Sequence, residues 1–158
     1  MASAVEHIAI PEQTIAYLPA HGSLRQTGEP FARLFAGLAE VGASPAGPPM
    51  ARFELDISDP DDADFEVAVP IDLAPGDRLP DNAEHVRSAT LPAHYALVMT
   101  HNGPYEEIGA GYTALTEELT TVGAAVAGPA SEVYLVGSDS GVAPADFVTE
   151  VQVPIVES

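Results

Sequence analysis

VGASPAGP (residues 41–48) returns 81 positions later as VGAAVAGP (residues 122–129), and that recurrence governs how the rest of the chain is read. The alignment runs without a gap from Pro11 against Pro92 to Phe53 against Tyr134. It sets Gly22 on Gly103, Gly28 on Gly109, Leu34 on Leu115, Leu38 on Leu119 and Phe31 on Tyr112. After a shift of three, EVAVPI (66–71) lies on EVQVPI (150–155). So many matches in one register and one order mark an internal duplication. The two copies span about 4–72 and about 83–156, and a linker at 73–82, within the Pro-, Gly- and Asp-rich DLAPGDRLPDN (72–82), joins them.

Both copies have one plan. QTIAYLP (13–19) and HYALVMTH (94–101) read as strands, apolar and rich in β-branched or aromatic residues. A glycine follows, then a helical stripe. In the second copy Tyr105, Ile108, Tyr112, Leu115, Leu119 and Val122 recur at spacings of three and four. In the first copy Phe31, Leu34, Phe35, Leu38 and Val41 do the same, with Phe31 and Phe35 expected in the core. Gly42 and Gly123 are placed to end the helices. Two further strands close each copy: ARFELDI (51–57) with FEVAVPI (65–71), and EVYLV (132–136) with FVTEVQVPI (147–155). A leading strand, VEHIAI (5–10) or EHVRSAT (84–90), precedes each. The expected fold is α+β: duplicated β-β-α-β-β units with pseudo-two-fold symmetry around a central cleft, forming a single domain over 1–158.

Composition narrows the function classes. The chain has 158 residues, of which 46% are hydrophobic, enough for a core. Twenty-four acids face five arginines and no lysine, giving a net charge of -19, which repels a phosphate backbone and argues against direct nucleic-acid binding. The excess charge reads either as habitat or composition bias, or as attraction of cationic ligands. The absence of cysteine removes disulfides, thiolate metal sites and a cysteine nucleophile. No signal-peptide pattern opens the chain, and no apolar run reaches the roughly 20 residues a membrane helix needs. A cytoplasmic protein without membrane contact is expected.

One residue breaks the pattern. Glu132 opens the apolar run VYLV and, two places from Tyr134, shares its strand face. Its counterpart in the first copy is Ala51, while Tyr134 answers Phe53. The copies agree on an aromatic and differ by one acid. A buried carboxylate needs a cation, a donor or a ligand to support it; otherwise it sits in water at a strand edge. Tyr112 and Tyr134 are the leading candidates to line a site with it, followed by Tyr17, Phe53 and Tyr105. Gly109 and Gly111 interrupt the helix and are read as close-packing positions. GSDSG (137–141) lacks the nucleophile-elbow spacing and reads as a hairpin turn. SDPDDAD (58–64) lacks the calcium-loop glycine and reads as a solvated loop. His7, His21, His85, His94 and His101 make no metal spacing; His101 reads as a helix-start contact or a group supporting the site. No cofactor is expected.

The series HNGPYEEIGAGYTALTEEL, VGAAVAGPASEVYLV and FVTEVQVPI resembles the GyrI-like small-molecule-binding domain, the effector-binding domain of multidrug-responsive and Rob-type transcription activators. The resemblance covers residues 5–156. It implies an SHS2-type tandem whose cleft takes flat, hydrophobic, often cationic compounds between aromatic side chains. It also implies a ligand-facing glutamate in an E-x-Y strand, matching Glu132 and Tyr134. No helix-turn-helix segment precedes residue 5, so a stand-alone form is expected. Three roles are compatible with the resemblance. The leading one is a binder that senses or sequesters a xenobiotic, with a separate regulator protein as a possible partner. The second is a hydrolase of strained cyclopropane-type genotoxins, with Glu132 as general base and Tyr134 or Tyr112 as donor. The third is a gyrase-inhibitor-like interaction module with DNA gyrase as partner. The oligomeric state is left open.

Overall fold

The computed structural model describes residues 5–24, 26–55, 59–74, 77–137 and 141–156. The central residues of GSDSG and the first residue of SDPDDAD lie outside these. Among the described residues the strands and α-helices run in the order β1 (Glu6–Ile10), β2 (Gln13–Gly22), α1 (Gly28–Glu40), β3 (Met50–Phe53), β4 (Ala63–Pro70), β5 (Arg87–Leu91), β6 (His94–Asn102), α2 (Gly109–Val122), β7 (Ala125–Val126), β8 (Ala130–Val136) and β9 (Val148–Val156). Among the described residues no helix is long and apolar enough to cross a membrane.

The chain divides into two compact bodies at Ile10/Pro11 and Ala93/His94. In the body built from 11–93 the antiparallel strand order is β3-β4-β2-β5, with α1 against β2 and β4. In the other body it is β1-β6-β9-β8, with α2 against β6. The leading strands are thus exchanged. β1 pairs with β6 rather than β2, and β5 pairs with β2 rather than β6. Proline supplies the reason for this pairing. The links between β1 and β2 and between β5 and β6 are Pro11-Glu12 and Pro92-Ala93. A two-residue hairpin turn needs a positive φ at its first central residue, and the proline ring holds φ near about -65°. Neither strand can fold back on its successor, so each runs on and pairs elsewhere.

Both helices end in the same way. Gly42 and Gly123 take φ of 73° and 67°, the left-handed conformation glycine adopts without a Cβ penalty. Ala43 N–H donates to Leu38 and Gly42 N–H to Ala39; Ala124 donates to Leu119 and Gly123 to Thr120. These are paired Schellman closures. Ala46 N–H then donates to the Pro70 carbonyl at 2.7 Å, and Ala127 N–H to Pro154 at 2.8 Å. Pro45 has no N–H and forms a single bridge to Ile71, whereas Val126 extends the pairing into the short β7.

The helices reach their sheets through glycine as well as leucine. Leu34, Gly37 and Leu38 are the buried residues of α1, and Gly111 and Leu115 those of α2. Phe31 and Phe35, expected in the core, are only half-buried and stack on each other at 6.3 Å. A Cβ on Gly37 would lie 2.5 Å from Val86 Cγ2, and one on Gly111 2.0 Å from Met99 Cε. Gly109 has open space around it, so of the two helix glycines only Gly111 is a packing position. Gly37→Ala is expected to lower stability by about 1–2 kcal/mol, since overpacking outweighs the gain in helix propensity. Gly109→Ala should not lower it. Urea-unfolding midpoints of the two variants check the contrast.

At the far end of β2, His21 Nδ1 lies 2.7 Å from Asp64 and Nε2 2.6 Å from Asp62. Both ring nitrogens can donate only when the imidazole is protonated. Asp64 and then Asp62, by accepting these bonds, raise the His21 pKa above its ordinary 6.5. A raised folded-state pKa gives stability that is full below the unfolded value and lost as pH rises through the folded one. The wild-type protein should therefore exceed His21→Gln in unfolding midpoint at about pH 5.5, and the gap should close by about pH 9.

Candidate functional site

β8 alternates. Ala130, Glu132 and Tyr134 share one face; Ser131 and Val133 share the other. The register places Glu132 opposite Val151 and Tyr134 opposite Thr149 on β9, and these stand beside Met99 and His101 on β6. Gly111 of α2 rests on Met99, so the Glu132 row lies beneath that helix. The close approach at Gly111 brings the next residue, Tyr112, over β8.

Glu132 is fully buried. The Tyr112 hydroxyl donates to its Oε2, and the Tyr134 hydroxyl donates to Oε1 at 3.0 Å. Each carboxylate oxygen therefore has a phenolic donor. Such charge-assisted bonds are the stronger class, and in a water-poor setting they polarise one another. The Tyr105 ring meets Tyr134 edge-on at 5.7 Å and stacks on Phe147 at 5.1 Å. Tyr105, Tyr112 and Tyr134 keep partial exposure, while the acid beneath them has none. The cluster is an aromatic surface backed by a sealed carboxylate. All five arginines fall between residues 25 and 87, so the body containing Glu132 has no arginine or lysine.

Four sequence candidates, Glu132, Tyr134, Tyr112 and Tyr105, come together here. Tyr17 and Phe53 belong to the other body: Phe53 is buried at the end of β3, and Tyr17 lines a separate cavity with Arg78 and Arg87. Phe147 was not singled out in the sequence; its two-residue spacing from Thr149 and Val151 was the available signal. His101 Nε2 donates to the Pro104 carbonyl at 2.8 Å, which fixes the chain as it enters the 3-10 turn Tyr105–Glu107. It is thus the helix-start contact, and it positions Tyr105. Among the described residues no group of three or more His, Asp or Glu side chains is disposed to hold a metal ion.

Thr149, between Tyr134 and His101 in register, is fully buried, and its hydroxyl has no hydrogen-bond partner among the described residues. An unsatisfied buried hydroxyl is destabilising. Thr149→Val should raise the stability of the ligand-free protein by about 1 kcal/mol, read as a higher thermal midpoint. No gain would show that the hydroxyl is satisfied in solution.

The geometry can be set beside known proteins. No curated protein matches the chain. The crystal structure of the EcmrR C-terminal domain superposes with a TM-score of 0.87 at 16% identity, covering 100% of both chains. A hydrolase from Listeria innocua gives 0.70 at 14% identity, covering 98% of this chain and 92% of that one. SAV2435, in a structure bound to tetraphenylphosphonium, gives 0.57 at 13% identity, covering 96% and 93%. Identities this low speak for a shared fold alone. The family model described as the GyrI-like small molecule binding domain matches residues 3–156, so with nearly its whole length inside that match, the chain belongs to the GyrI-like small-molecule-binding family.

Proposed function

We propose that the ligand is a flat, hydrophobic cation held on the tyrosine surface above Glu132, and that the protein senses or sequesters such a compound. The observation that carries this reading is a buried carboxylate bonded by two tyrosine hydroxyls in a body with no arginine or lysine. A cation stacked on Tyr112 or Tyr134 feels the Glu132 charge through one layer of side chain, in a medium that screens poorly. Hydroxyls donating to an anion enrich their rings, and cation–π attraction contributes about 0.5–2 kcal/mol per ring. The first copy has Ala51, Phe53 and Phe31 where the second has Glu132, Tyr134 and Tyr112. We read the two as copies of one unit, of which only the second carries this chemistry. The likeness to SAV2435 makes tetraphenylphosphonium, a tetrahedral aromatic cation, a suitable probe of the charge and hydrophobicity of the site, and the planar cation ethidium a probe of flatness, expected to bind at least as tightly.

A second reading is hydrolysis, with Glu132 as general base and a tyrosine as proton donor. The hydroxyl–carboxylate contacts favour it, and the fold is shared with a protein described as a hydrolase.

Titration with tetraphenylphosphonium by calorimetry should show saturable binding that Glu132→Gln weakens at least about tenfold, or about 1.4 kcal/mol. The neutral triphenylphosphine oxide should bind more weakly than the cation. Equal binding to wild type and Glu132→Gln would overturn the cation reading. Turnover of a strained three-membered-ring electrophile, lost in the same variant, would replace binding by catalysis.

A further inference from the structure

The body built from 11–93 contains a cavity of about 560 Å³ between Tyr17 on β2 and the segment from Arg78 to Ser88. Its volume is within the range that small-molecule sites occupy. The wall is pinned by one side chain. Asn82 Oδ1 accepts from Val86 N–H, and Asn82 Nδ2 donates to the Val86 and Pro80 carbonyls. Val86 is buried against Gly37 of α1, where a Cβ would not fit. The Glu40 carboxylate accepts from Ala83 N–H, and Leu79 N–H donates to the Ser88 hydroxyl. His85, on the rim, has a φ of 60°, unique for a non-glycine among the described residues. That left-handed conformation is uncommon for a side-chain-bearing residue and is held here by the turn around it.

The charges are arranged against the trend of the molecule. Four arginines fall among the described residues. Arg33 pairs with Glu84 and Arg52 with Glu66. Arg78 and Arg87 pair with no carboxylate among the described residues, and both line this cavity. With 24 acids in the chain, two guanidiniums facing one hollow without a partner is the opposite of what charge balance alone would produce. Among the described residues a single acid, Asp81, lines it with them, so the two guanidiniums outnumber the carboxylates there by one. Arg87 stands directly across the strand pair from Tyr17. A guanidinium fork and a phenol ring are therefore neighbours on one wall, with a second guanidinium reaching in from the loop.

We propose that this cavity is a second small-molecule site, for a flat aromatic monocarboxylate. The guanidinium forks match the two oxygens of a carboxylate, and the Tyr17 ring offers a face for stacking. One negative charge balances the fixed charge, which a phosphate monoester would exceed. The site is independent of Glu132 and its chemistry is of opposite sign.

The test uses the full chain and 1-naphthoate, followed by calorimetry or ligand-observed NMR. Saturable binding is expected, weakened at least about tenfold by Arg87→Gln and by Arg78→Gln, and unchanged by Glu132→Gln. Both arginines are exposed, so the variants should unfold at the wild-type temperature. Raising the salt should weaken binding, and the neutral 1-naphthamide should not compete. Competition by the amide at equal concentration, or naphthoate binding unaffected in the doubly substituted protein, would overturn the site. Displacement by inorganic phosphate at lower concentration than by naphthoate would overturn the assignment to a carboxylate. The comparison of acid with amide needs no variant, so it decides even if a substitution disturbs folding.

Discussion

A carboxylate sealed from water constrains everything around it, and Glu132 shows how. An isolated charge there would be expelled or neutralised. Here each oxygen has a tyrosine hydroxyl, and the two tyrosines come from different elements, Tyr112 from α2 and Tyr134 from β8 itself. The helix must therefore lie at one distance and one rotation over the sheet. Gly111 fixes the distance by removing a side chain above Met99. The Pro104 carbonyl, held by His101, fixes where the helical segment begins. Tyr105 is set by the same turn and closes the aromatic surface with Phe147. A scaffold organised this tightly around one acid is preorganised, which under the proposed function would spare a guest the cost of ordering the protein.

The exchanged leading strands have a related consequence. β1 extends the sheet that carries the Glu132 row, and β5 extends the sheet that carries Tyr17. One body is continuous in sequence, from Pro11 to Ala93, and the other combines the first ten residues with the chain from His94 onward. Long-range strand pairing of this kind forms slowly, since distant segments must meet before any contact rewards them.

Much of the architecture was legible in the sequence because two periodicities carried it. Helical stripes and terminal glycines located α1 and α2, and apolar runs located the strands. The exchange was not legible from the duplication, because an offset shows which segments are alike and not which segments pair. Pro11 and Pro92 held the missing information. Phe31 and Phe35 misled for a different reason: a hydrophobic stripe gives no weight to glycine, yet Gly37 is the residue that meets Val86. Glu132 was visible as an acid where its counterpart is alanine, and the same alignment marked Tyr112 and Tyr134 as polar versions of phenylalanines. Phe147 and the role of His101 were hidden because both depend on the 3-10 turn after Pro104, which no periodicity announces. Arg78 and Arg87 belong to no sequence motif, and it is the cavity that brings them together.

The two bodies differ in chemistry on like local structure. Each has a strand, a helix with a Schellman end and two following strands, and those features rest on glycine and aliphatic residues. Changing Ala to Glu and Phe to Tyr at three aligned positions gives the second body a buried anion with its own donors. The arginines stay in residues 25–87, so none is at hand in that body to neutralise it. The first body keeps the apolar residues at those positions, and its unpaired arginines are carried outside the aligned region or on the exchanged strand, at Arg78 and Arg87. On the two proposals made above, this separation of charge is what would let a protein with a net charge of -19 favour a cation in one body and an anion in the other.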